Sequence, residues 1–215
     1  MKGSSSPWFG LMGAIYVNFP VALQFVIRCI FMNDWATLRS TNATTGLTAQ
    51  EQRMGIFYMC DQIGEDERVC QSTTNMPFPH SYKAAGALAI VACILLVLGY
   101  IAFLVGACSL RKRPNIFSGK YFAAVSVALW VSTFSNILSY TIFGTYIETT
   151  YYHVRPFYDS TLSLGGWYQM MAGSASSLVV AIVVTIFAGM MGRCKEEKSS
   201  PNGQTNAATE MGSKY

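Results

Sequence analysis

Long apolar stretches alternate with shorter polar connections along this chain. Four windows, residues 3–27, 84–110, 121–147 and 160–192, contain no Asp, Glu, Lys or Arg. Since about 20 apolar residues cross the hydrocarbon core of a bilayer as a helix, each window is long enough to span it. We therefore predict four transmembrane helices, at about residues 8–32, 84–108, 121–147 and 167–191. The first window has no basic leader and no small-residue cleavage site, which favours a retained helix over a signal peptide.

Composition narrows the class of protein further. Hydrophobic residues make up 52% of the chain and charged residues only 12%, against about 25% charged in an average globular protein. The spans and this composition exclude a water-soluble enzyme and a nucleic-acid binder. The sequence contains no Ser/His/Asp, Cys/His or metal-ligand pattern, so we expect no catalytic residue, no metal and no cofactor. The lipid bilayer is the partner that the spans themselves require.

Basic residues in the connections predict the orientation. Arg111, Lys112, Arg113 and Lys120 lie between the second and third spans, and more basic residues follow the fourth. By the positive-inside rule both segments are cytoplasmic, as are both termini. Outer loops are then expected at 33–83 and 148–166, on a multi-pass protein of the plasma membrane. The polar residues 194–215, after a membrane domain of 1–193, are expected to form a disordered cytoplasmic tail.

Two of the six cysteines, Cys60 and Cys70, fall in the first outer loop. An oxidising compartment favours a disulfide between them over the alternative of two free thiols. Strand-like patterns at 35–39, 54–60 and 69–73 are separated by turn-prone residues. The expected fold is an all-α membrane protein, a left-handed four-helix bundle carrying a small extracellular antiparallel β-sheet. Uncharged Ser132, Ser135, Asn136 and Ser139 in the third span predict hydrogen bonds between this helix and its neighbours.

The first outer loop also carries a family signature. Its residues are Trp35, then Gly55, Ile56 and Phe57, then Cys60 and Cys70. This order resembles the Trp…Gly-Leu-Trp-x-x-Cys…Cys signature of the claudin superfamily, which includes peripheral myelin proteins, epithelial membrane proteins and calcium-channel gamma subunits. The second tryptophan is Phe57 here, and the leucine is Ile56. The resemblance implies a claudin-like bundle and sheet.

The same residues have a physical role that needs no family. We expect Trp35 and Phe57 to wedge between the sheet and the outer helix ends, and Gly55 to permit a close approach. Arg28, at the outer end of the first span, is expected to pair with Asp34 or Glu148, because a charge there is unfavourable in lipid.

Four carboxylates lie between the two cysteines, at Asp61, Glu65, Asp66 and Glu67. One interpretation is a solvated turn. The other is a field that attracts cations, and the claudin resemblance implies cation preference at a paracellular pore.

Four further features are candidate modification or contact sites. Asn42 begins an N-glycosylation sequon, and Cys108 and Cys194 have the juxtamembrane setting of palmitoylated cysteines. Aromatic residues of the second outer loop suit either contacts between facing proteins or an interfacial belt; they are Tyr151, Tyr152, Phe157 and Tyr158. Ser213 and Tyr215 form a weak PDZ-ligand pattern, which implies a scaffold partner.

The function expected from the resemblance is that of a cell-junction protein. It would associate with itself or with related claudin-like proteins, within one membrane and between facing cells, to give adhesion or a paracellular barrier. Two alternatives remain open: an auxiliary subunit of an ion channel, and a membrane-organising protein of the myelin or epithelial-membrane kind.

Overall fold

The computed structural model describes residues 7–32, 34–41, 48–63, 67–73, 78–109, 119–154 and 160–199. Its helices are α1 (Pro7–Phe31), α2 (His80–Ser109), α3 (Gly119–Val154) and α4 (Gly165–Ser199). Each contains a segment long and apolar enough to cross a membrane: Gly10–Phe31, His80–Ser109, Gly119–Thr150 and Gly165–Gly192. The structure therefore fits a multi-pass membrane protein, as the charge-free windows predict.

Two helices extend beyond their predicted ends. Helix α3 continues to Val154, seven residues into the segment expected to be an outer loop, and α4 continues to Ser199, into the expected disordered tail. Hydropathy reports the length of the lipid-crossing part, whereas backbone hydrogen bonding extends a helix into polar sequence. The second outer connection is thus shorter than predicted, and residues 194–199 are helical.

The helices pack in the order α1, α4, α3, α2, and α1 touches α2 less extensively. Their shared interior is apolar and includes Phe19, Leu96, Phe103, Phe122 and Phe187, each at most 1% exposed. Glycines let two pairs of helices approach. A Cβ on Gly99 would lie 2.8 Å from Leu129 Cδ2 across the α2–α3 contact, and one on Gly173 would lie 3.1 Å from Phe25 Cβ across the α4–α1 contact. Small residues have this role in membrane bundles because lipid supplies no hydrophobic drive for helix association.

Buried hydroxyl groups join α3 to its two neighbours. Ser132 Oγ donates to the carbonyl of Ala92 at 2.7 Å, and Ser139 Oγ donates to that of Ala85 at the same distance. Thr133 donates to Ser177 of α4 at 3.2 Å. The predicted interhelical bonds of Ser132 and Ser139 are therefore confirmed. The prediction fails for Asn136, whose buried amide has no partner in the described part of the chain.

A five-stranded antiparallel sheet lies at the end of the bundle where α1 and α3 end and α2 and α4 begin. Its spatial order is β4-β3-β2-β1-β5. The strands are β1 (Ala36–Thr41), β2 (Thr48–Met54), β3 (Tyr58–Ile63), β4 (Val69–Ser72) and β5 (Ser160–Ser163).

The sheet differs from the three predicted strands in two respects: one predicted strand is interrupted, and β2 and β5 were not predicted. The apolar run 54–60 is not one strand, because Gly55, Ile56 and Phe57 form the connection between β2 and β3. Gly55 N donates to the carbonyl of Tyr58 at 2.9 Å and closes this hairpin. Strand β2 is polar and β5 is only four residues long, so neither shows the apolar alternation by which strands are recognised.

Candidate functional site

The first candidate feature is a clamp that joins the sheet to the bundle at Trp35. The indole is fully buried, and its Nε1 donates to the carbonyl of Cys29 in the last turns of α1 at 2.5 Å. Its ring meets Phe143 of α3 edge-on, with centroids 4.8 Å apart. Gly166 of α4 touches the same residue from another side, since a Cβ there would lie 2.7 Å from Trp35 Cα. Trp35 therefore fixes the start of β1 against three helices, as predicted for an aromatic residue between the sheet and the helix ends.

A second clamp is formed by the connection between β2 and β3. Tyr82 of α2 donates its hydroxyl to the carbonyl of Gly55, and Thr73 Oγ1 donates to the carbonyl of Ile56 at 2.7 Å. Ile56 is 7% exposed, and a Cβ on Gly86 would lie 2.8 Å from its Cγ2. The connection is thus held against α2 by one hydrogen bond and one apolar contact, and the other hydrogen bond ties it to the residue that follows β4.

Phe57 does not take the wedging position predicted for it. Its side chain is 37% exposed, whereas the adjacent Ile56 is buried against α2. Neighbouring residues of a connection point in different directions, and Tyr82 with its stacked neighbour Phe78 already supplies aromatic packing here, at a centroid distance of 4.6 Å. The prediction is therefore confirmed for Trp35 and wrong for Phe57.

Cys60 and Cys70 form the predicted disulfide. They occupy directly opposed positions on β3 and β4. The bridge closes the second hairpin and holds the short edge strand β4 onto the sheet.

The two faces of the sheet differ in polarity. The face toward the bundle carries Ala36, Met54, Met59 and Leu162, which belong to or pack against the core. Side chains alternate between faces along a strand, so their neighbours point away from the bundle. That outward face carries a charged centre, formed by Glu51 and three arginines.

Glu51 accepts a hydrogen bond from Arg39 Nε at 2.8 Å, directly across the β1–β2 ladder. It also accepts one from Arg53 Nε at 2.5 Å, and Arg68 Nη2 lies 3.6 Å away. The Arg53 hydrogen bond lowers the pKa of Glu51 below its ordinary value of 4.5; burial opposes this shift, and Arg39 reinforces it. Three guanidinium groups around one carboxylate leave this cluster net positive.

The acidic run does not form one group in the described residues. Asp61 accepts a hydrogen bond from Gln52 Nε2 at 2.9 Å, on the sheet face opposite Glu51. Glu67 is exposed, and Glu65 and Asp66 lie outside the described residues. The charge that the structure brings together is the Glu51–arginine cluster, which our sequence reasoning missed. The sequence did contain an indication of this cluster. Glu51 and Arg53 are two residues apart, a spacing that places both side chains on one face of a strand.

Exposed apolar side chains lie toward the β3–β4 edge of the sheet. Ile63 is 64% exposed and Val69 is 58% exposed, and the strand register places both on one face. Tyr58, which is 49% exposed, lies at the other end of β3 on the opposite face. Val69 belongs to edge strand β4, which has a sheet neighbour on one side only. Exposed apolar residues on an edge strand are typical of a surface that contacts another protein.

The remaining predicted sites are placed only in part. Cys108 is an exposed free cysteine in the last turn of α2, and Cys194 lies in α4, where its side chain is not described. Tyr151 and Tyr152 lie in the last turns of α3, again without described side chains. The other sites fall outside the described residues: Asn42, Phe157, Tyr158, Ser213 and Tyr215.

Arg28 does not form its predicted ion pair. Asp34 and Glu148 are both described, and neither lies within ion-pair distance of it. The ion pairs found within the described ranges all involve Glu51. Arg28 is instead exposed on the surface of α1.

The described residues contain no group of three or more His, Cys, Asp or Glu side chains placed to hold a metal ion. What they present is a clamped sheet with a charged face and an apolar edge. No protein-family model matches the chain, and no curated protein matches it in sequence.

Proposed function

We propose that this protein is a claudin-like integral membrane protein of cell–cell junctions, in which the sheet gives adhesion or a paracellular barrier. The observation that carries the proposal is the double clamp of the sheet on the bundle, at Trp35 and at Gly55–Ile56. A surface held rigidly on membrane helices loses little conformational freedom when it binds, which favours association.

The exposed edge of the sheet supports this role. Ile63 and Val69 offer apolar area on the same face as Asp61, the composition expected of a contact surface that also faces water. The Trp…Gly…Cys…Cys signature supports a claudin-like member in particular. The basic residues between the second and third spans support an orientation with the sheet outside the plasma membrane and both ends of the chain inside.

Ion preference belongs to the same proposal. The acidic run from Asp61 to Glu67 would favour cations at a pore between facing cells, while Arg39, Arg53 and Arg68 on the outward face would oppose it. Which set faces the intercellular passage then decides the selectivity.

A mixing experiment tests adhesion. Cells without junctions would express the full chain with an N-terminal fluorescent tag and be mixed with non-expressing cells. We expect enrichment only where two expressing cells touch. Ile63→Ser with Val69→Ser should abolish the enrichment, whereas Thr161→Ser on the opposite edge strand β5 should leave it. Uniform surface signal in the unaltered protein contradicts adhesion.

A second candidate function is that of an auxiliary subunit of an ion channel, or of a membrane-organising protein of the myelin or epithelial-membrane kind. It is favoured by exposed polar side chains on α1, which would have a use if a further membrane helix lay against them. Uniform surface distribution in the mixing experiment would favour this candidate over adhesion.

A further inference from the structure

Two polar side chains lie on the outer surface of α1, within a segment apolar enough to cross a membrane. Gln24 and Arg28 are both exposed, and both fall in the Gly10–Phe31 span. They are four residues apart, so they share one helix face. At 1.5 Å per residue, Gln24 lies roughly 10 Å inside the sheet-proximal end of this span. Neither side chain hydrogen-bonds or ion-pairs with any residue in the described part of the chain.

Several hydroxyl groups on the bundle surface are satisfied within their own helices. Thr141 donates to the carbonyl of Ile137 at 2.8 Å, and Thr145 donates to that of Thr141 at 3.0 Å. Ser176 donates to the carbonyl of Ala172 at 3.1 Å. A hydroxyl on a short side chain can return to the preceding turn, which makes it tolerable in lipid. Gln24 makes no such bond, and its amide would face hydrocarbon with both its donors and its acceptor unpaired.

The surroundings of these two residues permit a close neighbour. The opposite side of α1 is buried in the bundle through Ile15, Phe19 and Val26. The outward side carries Gly13, where a Cβ would meet nothing within 4 Å, and Val17, which is 65% exposed. We define the outward face of α1 as Gly13, Val17, Pro20, Gln24 and Arg28. This face has open space at its Gly13 end and polar side chains at its Gln24–Arg28 end.

We propose that the outward face of α1 binds a transmembrane helix of another protein, and that this helix carries an Asp or Glu carboxylate at the depth of Gln24 and Arg28. The carboxylate would accept hydrogen bonds from the Arg28 guanidinium and the Gln24 amide. Buried or lipid-facing charges in membranes pair with opposite charges, and Arg prefers a carboxylate that it can contact through two N–H groups.

Other occupants fit the face less well. A second copy related by a twofold axis parallel to the helices would bring two Arg28 side chains together, which is unfavourable in a low dielectric. A lipid phosphate could meet Arg28, since a long side chain can reach the interface. Gln24 lies about one turn deeper and has a shorter side chain, so the headgroup would leave it unpaired. The inference goes beyond junctional adhesion and does not depend on it.

A designed membrane helix provides the test. The full-length chain, with a fluorescent donor at its C-terminus, would be reconstituted with acceptor-labelled polyleucine helices. One probe helix carries a single Asp roughly 10 Å from its end, and the matched control carries Leu there. We expect energy transfer about threefold higher with the Asp helix than with the Leu helix. Gln24→Leu with Arg28→Leu should reduce the transfer to the Leu-helix level, whereas Ile94→Leu on the exposed surface of α2 should not.

Three results would overturn the inference. They are equal transfer to both probe helices, transfer that survives Gln24→Leu with Arg28→Leu, and transfer between two copies of the full chain that these substitutions abolish. The last result would assign the face to self-association. Thermal unfolding of each variant in detergent checks that it is folded. The test does not require adhesion, so absence of enrichment in the mixing experiment would not affect it.

Discussion

The indole of Trp35 donates a hydrogen bond to the main-chain carbonyl of Cys29, 2.5 Å away, across the junction between α1 and β1. The bond satisfies the indole N–H in a site from which water is excluded. The sheet thereby takes its position from the last turns of the first span.

Trp35→Phe is expected to destabilise the protein by about 1–3 kcal/mol, because it keeps most of the ring and leaves the Cys29 carbonyl buried without its partner. Thermal unfolding of the purified protein in detergent measures the effect. Trp130→Phe is the matched control, since Trp130 also donates through Nε1, to Thr185 at 3.1 Å, but from a partly buried position and to a hydroxyl that has other partners. Equal losses in the two variants would contradict the clamp.

Cys60→Ser should retain the protein in the secretory pathway, because the disulfide is what joins β4 to the sheet covalently. Loss of such a bridge from a small domain typically costs about 2–5 kcal/mol. Surface biotinylation measures delivery, and Cys108→Ser, which removes an exposed free thiol, should be delivered normally. Normal delivery of Cys60→Ser would show that the sheet folds without the disulfide.

Glu51 should make the sheet acid-sensitive. Its pKa is lowered in the folded protein, so its contribution to stability is complete above the ordinary value of 4.5 and is lost as the pH falls through the lowered pKa. Glu51→Gln should therefore lower the melting temperature at neutral pH, and the two proteins should converge in acid, below the lowered pKa of Glu51.

The control for Glu51 is Glu67→Gln, which removes an exposed acid from the next hairpin. It should leave the difference between neutral and acid melting temperatures unchanged. A Glu51→Gln variant that melts like the unaltered protein at both pH values would mean that the arginine cluster contributes nothing measurable.

Selectivity can be tested by removing either set of charges. Neutralising Asp61, Glu65, Asp66 and Glu67 together should lower the sodium-to-chloride permeability ratio of an expressing monolayer, because fixed acids concentrate cations. Arg39→Gln should raise the ratio if the outward face lines the passage. Dilution potentials measure both effects, after surface delivery has been checked. Unchanged potentials would leave the acidic run as a solvated turn.

Much of the architecture was predictable from the sequence. The four spans follow from hydropathy and length, because a bilayer imposes a minimum apolar length on each helix regardless of its neighbours. The Cys60–Cys70 bridge follows because the two cysteines share one connection between spans. Trp35 was identifiable as an anchor because a large aromatic residue beside a span end suits the boundary between lipid and water.

Other features were decided by contacts between distant segments. Strand β5 pairs with β1 across more than a hundred residues, through partners such as Leu38 and Leu162, and no local pattern marks a four-residue strand. The packing of the β2–β3 connection on α2 decides that Ile56 is buried, whereas Phe57 is exposed.

What the sequence determined by itself was therefore the set of membrane spans, the Cys60–Cys70 disulfide and the existence of a sheet, since each depends on local composition or spacing. The tertiary structure alone decided the register of that sheet, the gathering of three arginines around Glu51 and the exposure of Gln24 and Arg28 on α1. The physical reason is that burial and charge pairing depend on which residues meet in space. A linear pattern constrains those meetings only within one helix or strand.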